Sequence, residues 1–271
     1  MSALAIDRVT VEPPVSLPVD YLSLSSLSLL MRCPEAWRRR YIDKEPEPPS
    51  GKMVLGSSAG AALNQHFGHQ LESGDGLCTE ALLDEFASEF EERTGREEID
   101  YGTDTAGALK DSGARALAIY HRDIAPAIVP ISVEREFELS WPGVEWVLTG
   151  FLDLEDTGGL VRDYKMRAKR MSQKDADGDL QPTVFLAARR AEGNPAAGFR
   201  FDTMVRTKLP TAEVVPTERS ERQLDLLSDR IFGLAREIEW RCETGIWSGA
   251  SPHAWFCSAC RYADCPLRVG A

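Results

Sequence analysis

Asp153, Asp163 and Lys165 are the residues of this chain whose types and spacing best suit them to chemistry. Asp153 lies in Gly150-Phe151-Leu152-Asp153-Leu154, and Asp163 and Lys165 follow in Val161-Arg162-Asp163-Tyr164-Lys165. Residues two apart on a strand point to the same face of a sheet, so Asp163 and Lys165 share one, and an adjacent antiparallel strand brings Asp153 alongside them. Two carboxylates converging on one point repel unless a cation joins them, and hard oxygen ligands select Mg2+ or Mn2+. A nearby lysine orients or helps deprotonate an attacking water and stabilises charge developing on a phosphate. Together these are the parts of metal-assisted phosphodiester hydrolysis.

A second constellation is made of thiols. Cys257, Cys260 and Cys265 fall within nine residues of one another, and Cys33 lies 224 positions before Cys257. Thiolates grouped this way bind zinc or an iron-sulfur cluster, so the set ties two distant stretches of chain to one metal centre. Cys78 and Cys242 fall outside the pattern and are expected to be ordinary buried residues.

The elements that must position these groups follow from hydrophobic period and turn residues. Residues 1–20 lack a clear period and are expected to form a flexible arm, extended or poorly ordered. A helix capped by Ser25 or Ser26 carries Leu27, Leu30 and Met31 toward Trp37 and Tyr41, until the prolines of 46–49 end it. A second helix starts near Ser57 or Ser58 and presents Ala62, His66 and Phe67. Acidic amphipathic helices over 80–93 and 106–124 come next. The period then changes to that of strands over 132–141, 145–155 and 160–166, joined by Pro142-Gly143 and Thr157-Gly158-Gly159. A helix over 180–191, strands over 198–207 and 212–217, and a long helix over 221–242 complete the series before the cysteine-bearing tail. This order predicts an α/β or α+β sandwich. The expected organisation is one domain over 21–271, with a helical insertion at about 80–125, a core over 130–217 and a final helix and cysteine segment over 221–266.

Composition constrains the partner. The net charge of −12 over 271 residues argues against broad phosphate binding. Ten acidic residues between Glu80 and Asp104, against Arg93 and Arg96 alone, account for −8 of it and leave −4 elsewhere. Basic residues cluster at Arg32, Arg38, Arg39 and Arg40, and again at Arg162, Lys165, Arg167, Lys169, Arg170 and Lys174. Such clusters are either a solvated surface or a groove that tracks phosphates, and their place beside the two constellations favours the groove. Residues 1–20 carry Asp7, Arg8 and Glu12 and lack the apolar run of a secretory signal, and no window reaches membrane-spanning length, so the expected location is the cytoplasm. There clustered cysteines hold metal more often than disulfides.

The carboxylate and lysine pattern resembles the PD-(D/E)XK nuclease superfamily, specifically its RecB-like branch. Gly-x-x-Asp followed by Asp-Tyr-Lys is matched by Gly150 to Asp153 and by Asp163 to Lys165. The resemblance implies a central mixed β-sheet of the restriction-endonuclease-like type flanked by helices, and a metal-dependent DNA nuclease. It implies His66, Asp153 and Asp163 as metal ligands, with a backbone carbonyl from Tyr164, and Lys165 as the catalytic lysine. A Gln-x-x-x-Tyr element of the family corresponds to Gln181-Pro-Thr-Val-Phe185, so the supporting Gln181 is kept and the tyrosine hydroxyl is lost. The thiol layout is similar to that of AddB-type and CRISPR-associated RecB-like exonucleases, in which one cysteine before the core and three after it hold a 4Fe-4S cluster. Cys33, Cys257, Cys260 and Cys265 occupy those places, with a last gap of four residues, one shorter than is common there. Structural Zn2+ is the alternative occupant. The activity implied is an exonuclease on single-stranded DNA or DNA ends in recombination, repair or replication. The alternative is a catalytically silent DNA-binding adaptor of the same fold. DNA, further copies of the chain and a recombination or helicase protein are the partners the resemblance suggests. No Walker-type Gly-x-x-x-x-Gly-Lys is present, so no helicase motor is expected within these residues.

Overall fold

The computed structural model describes residues 4–5, 15–46, 48–96, 98–250 and 256–269. Its elements are, in chain order, β1 (Leu4–Ala5), β2 (Tyr21–Ser23), α1 (Leu24–Arg32), α2 (Pro34–Tyr41), α3 (Gly51–Ser73), α4 (Thr79–Arg96), α5 (Ala106–Asp123), β3 (Pro130–Ser140), β4 (Val147–Asp156), β5 (Leu160–Arg167), α6 (Gln173–Gly178), α7 (Gln181–Ala191), β6 (Gly198–Val205), β7 (Thr211–Thr217), α8 (Glu221–Asp225), α9 (Leu227–Thr244) and α10 (Phe256–Ala259). The strand order is β1-β3-β4-β5-β6-β7, with β2 pairing β4. The β4–β5 and β6–β7 pairs are antiparallel and β5–β6 is parallel, which makes the mixed, helix-flanked sheet the sequence predicts. Among the described residues no helix is long and apolar enough to cross a membrane.

Several boundaries differ from expectation for identifiable reasons. The first helix is two helices: Cys33 is extended, ending α1 and preceding Pro34 at the start of α2, where a proline's missing N–H costs nothing. Its cap is Ser23, whose hydroxyl accepts from the Ser26 N–H, while the Ser26 hydroxyl is taken by Trp37 Nε1 at 2.9 Å. Ser50, not Ser57 or Ser58, caps α3. The final helix is broken into α8 and α9 at Leu226. The helix α6 was not expected, although Ser172 and Asp175 form a capping box at its start. Within the N-terminal stretch Leu4–Ala5 pair with β3 and Val15 is buried, while 1–3 and 6–14 lie outside the described residues.

The chain divides into two compact units built from interleaved segments, residues 1–47, 137–150 and 221–271 in the first and residues 48–136 and 151–220 in the second. In the second unit, side chains alternate across the sheet. Leu154 of β4, Tyr164 and Met166 of β5 and Met204 of β6 pack on one side with Leu55, Leu63, Phe67, Phe86 and Leu117 from α3, α4 and α5. The acidic run is therefore mainly the outer face of α4, whose Leu82, Phe86 and Phe90 are buried. On the opposite side Phe199 and Phe201 of β6 meet, and Phe185 of α7 packs on Phe199. In the first unit, Trp37 stacks on Trp247, and Trp141, Trp146 and Phe232 form a mutual cluster.

Candidate active site and thiol centre

Leu154 and Glu155 of β4 pair with Arg162 and Val161 of β5, and continuing that register puts Asp163 opposite Asp153. At this level a side chain enters the ladder: the Tyr164 N–H donates to Asp153 Oδ2 at 3.0 Å. Asp163, 3% exposed, lies on the same sheet face as Lys165, whose Nζ is 2.5 Å from Asp163 Oδ2. Lys165 Nζ also donates to Gln181 Oε1 at 2.9 Å, and Gln181 Nε2 donates to Asp163 Oδ1. One glutamine at the first turn of α7 thus holds both the acid and the lysine. Its own placement comes from Asp179, which accepts the Gln181 N–H at 2.9 Å, and from Arg219, which donates to the Asp179 carbonyl and to Thr183. Asp179 and Arg219 were not singled out from the sequence, where only the Ser172/Asp175 capping box hints at an ordered approach to α7.

The electrostatics suit a cation. Burial, and then the charge of Asp163, push the Asp153 carboxyl above the ordinary carboxylate range, against the Tyr164 N–H and Lys165 that favour its charge. Burial disfavours the Lys165 charge, but Asp163, Asp153 and Asp179 together outweigh it and hold the ammonium above its ordinary pKa. Asp163 Oδ2 is buried and, besides its ion pair with Lys165, has no hydrogen bond of good geometry. A carboxylate oxygen left in that state beside a second, crowded carboxyl fits a divalent ion.

His66 is placed differently from the expectation. Its Nδ1 meets the Leu77 carbonyl at 3.2 Å, and its ring packs edge-on against His121 at 4.8 Å. The carbonyl requires a proton on Nδ1. Burial and the neighbouring His121 lower the His66 pKa to about 4, so the ring is neutral. Among the described residues no three His, Cys, Asp or Glu side chains form a group able to hold a metal ion. The Tyr164 ring lies on the other side of β5, stacked against Phe67 at 6.2 Å, which leaves this residue only its backbone to offer the site.

In the first unit Cys33, Cys257, Cys260 and Cys265 line one pocket with Ala36, Ala250 and Tyr262. Burial raises the Cys33 and Cys260 thiols, and backbone N–H groups of Ala36 and Ala250 at Cys33, and of Tyr262 at Cys260, work the other way. The pocket thus gathers the four thiols along one apolar wall, with N–H groups turned toward the sulfurs of Cys33 and Cys260. Arg39 lies over the Tyr262 ring and pairs with Asp264 and Glu35, linking α2 to the tail. Cys78, in the loop before α4, and Cys242, in the last turn of α9, are exposed rather than buried.

Residues 21–266 match the family described as PD-(D/E)XK nuclease superfamily. A solved structure of a candidate exonuclease from Eubacterium rectale is similar over 92% of this chain and 91% of its own, at 12% identity and a TM-score of 0.58. That of SSO0001 covers 94% and 90% at 13% identity, with a TM-score of 0.41. A search of the curated proteins finds no match.

Proposed function

Since this chain belongs to the PD-(D/E)XK nuclease superfamily, we propose that it is a metal-dependent DNA exonuclease acting on single strands or frayed ends, in recombination, repair or replication. The observation that carries this reading is the joining of Asp163, Lys165 and Gln181 by mutual hydrogen bonds and an ion pair, with Asp153 on the paired strand. Asp153 and Asp163, with the Tyr164 carbonyl, would hold Mg2+ or Mn2+, and the ion would supply Lewis-acid polarisation of the phosphate and an activated water. Lys165 would orient the attacking water or stabilise charge developing on a phosphate oxygen. Gln181 fixes the lysine's direction, which a flexible four-carbon stem does not do unaided.

The test is a time course with Mn2+ on 5′- and 3′-labelled single strands. Asp163→Asn and Lys165→Met are expected to lower the rate by on the order of 10²-fold or more. Full activity in either variant overturns the assignment. Binding of these strands by the native chain with no cleavage replaces it with the adaptor.

The four thiols support a 4Fe-4S cluster with a structural role, because hydrolysis requires no electron. Iron, sulfide and zinc analysis of protein purified without oxygen decides its identity: about four irons per chain are expected, and stoichiometric zinc without iron rejects the cluster. A cytoplasmic location agrees with reduced thiols.

A further inference from the structure

Of the ten phenylalanines in the chain, eight are buried, Phe256 is half-buried, and Phe151 is exposed at 52%. Leu152 and Leu154 on the same strand are fully buried, and Leu154 packs into the core with the α3–α5 layer. Alternation along β4 therefore puts the Phe151 ring on the Asp153 face, one side-chain step of about 7 Å away. An exposed aromatic thus stands one step along β4 from Asp153, on the sheet face that also carries Asp163 and Lys165.

We propose that Phe151 is a stacking platform for the nucleobase adjacent to the scissile phosphate, and that it selects strands whose terminal base is free to leave a helix. This deepens the nuclease reading and rests on it. A single ring beside Asp153, on the face that carries Lys165, suits a base, which combines an apolar face with polar edges; an apolar protein surface would strand those charges. A duplex interior hides its base faces, so the same ring disfavours paired ends. Phe151 is a positioning residue: it holds the strand while the carboxylates and Lys165 meet the phosphate.

The test uses single-stranded oligonucleotides in which one abasic site is moved along the chain, with binding measured in EDTA and cleavage in Mn2+. Native protein should lose affinity by about 5- to 150-fold at one position of the abasic site, the range expected for one stacked base. Cleavage should show the same position as a rise in KM larger than any fall in kcat. Phe151→Ala should erase the position dependence, and Phe151→Trp should restore it. Position dependence that survives in Phe151→Ala, or is absent from the native protein, overturns the proposal. If the native chain shows the dependence in binding and cuts nothing, the nuclease reading fails while the platform stands. If it cuts without any dependence, the platform alone fails.

Discussion

Asp153 and Asp163 crowd each other enough that the metal-free site should respond to pH. The folded-state pKa of Asp153 is raised above its unfolded value, so the folded protein keeps a proton that the unfolded chain has lost. Its contribution to stability is fully present below the ordinary carboxylate pKa and disappears as pH rises through the raised one. Thermal melts in EDTA should fall across that window, and Mn2+ should restore more stability on its alkaline side than at acid pH. An equal Mn2+ effect at both ends would show that the carboxyls are not the ion's ligands. At this scale the meeting of Asp153, Asp163 and Lys165 on one sheet face was legible, since it follows from strand period and spacing. The partner of His66 was not, because it is the carbonyl of Leu77, 11 residues on, past a helix end. Periodicity places a side chain on a helix face and says nothing of which backbone returns to meet it.

The helices that back the sheet are held at close range by a small residue. A Cβ on Gly113 of α5 would lie 2.5 Å from Leu55 Cδ1 and 3.0 Å from Phe86 Cζ, inside a fully buried cluster. Gly113→Ala should thus destabilise the protein by about 1–3 kcal/mol through overpacking, reduced by up to ~1 kcal/mol from alanine's better helix propensity. Gly107→Ala on the same helix meets nothing within 4 Å and should be neutral or stabilising. Urea midpoints of the two variants check the pair, and equal shifts would refute close packing of α5 on α3 and α4. The order and type of most elements were readable from period and turn residues. The ends were less so where several residues could serve: the serine run 23–28 offers alternative caps, and only the burial of Ser26 beneath Trp37 decides among them. Strands as short as β1 and β2 carry no period, so their pairing with β3 and β4 comes from tertiary contact alone.

The two units draw on alternating stretches of chain, and β3 and β4 each pass from one into the other. Sequence position alone predicts one domain, because nothing in composition marks the crossings at residues 136–137 and 150–151. The thiol pocket belongs wholly to the first unit and the carboxylates wholly to the second. Cys257→Ser should lower the thermal midpoint of a metal-loaded protein, as loss of a structural centre does, and leave the Asp163–Lys165–Gln181 bonds in place. The distribution of indole rings follows the same division: all six tryptophans fall in segments of the first unit, and residues 48–136 and 151–220 contain none. Intrinsic emission is consequently a private optical channel of the unit that carries the thiols. An iron-sulfur chromophore absorbs where indoles emit, so a loaded protein should be dim and should brighten as a chelator strips the iron, giving a running count of occupancy without a label.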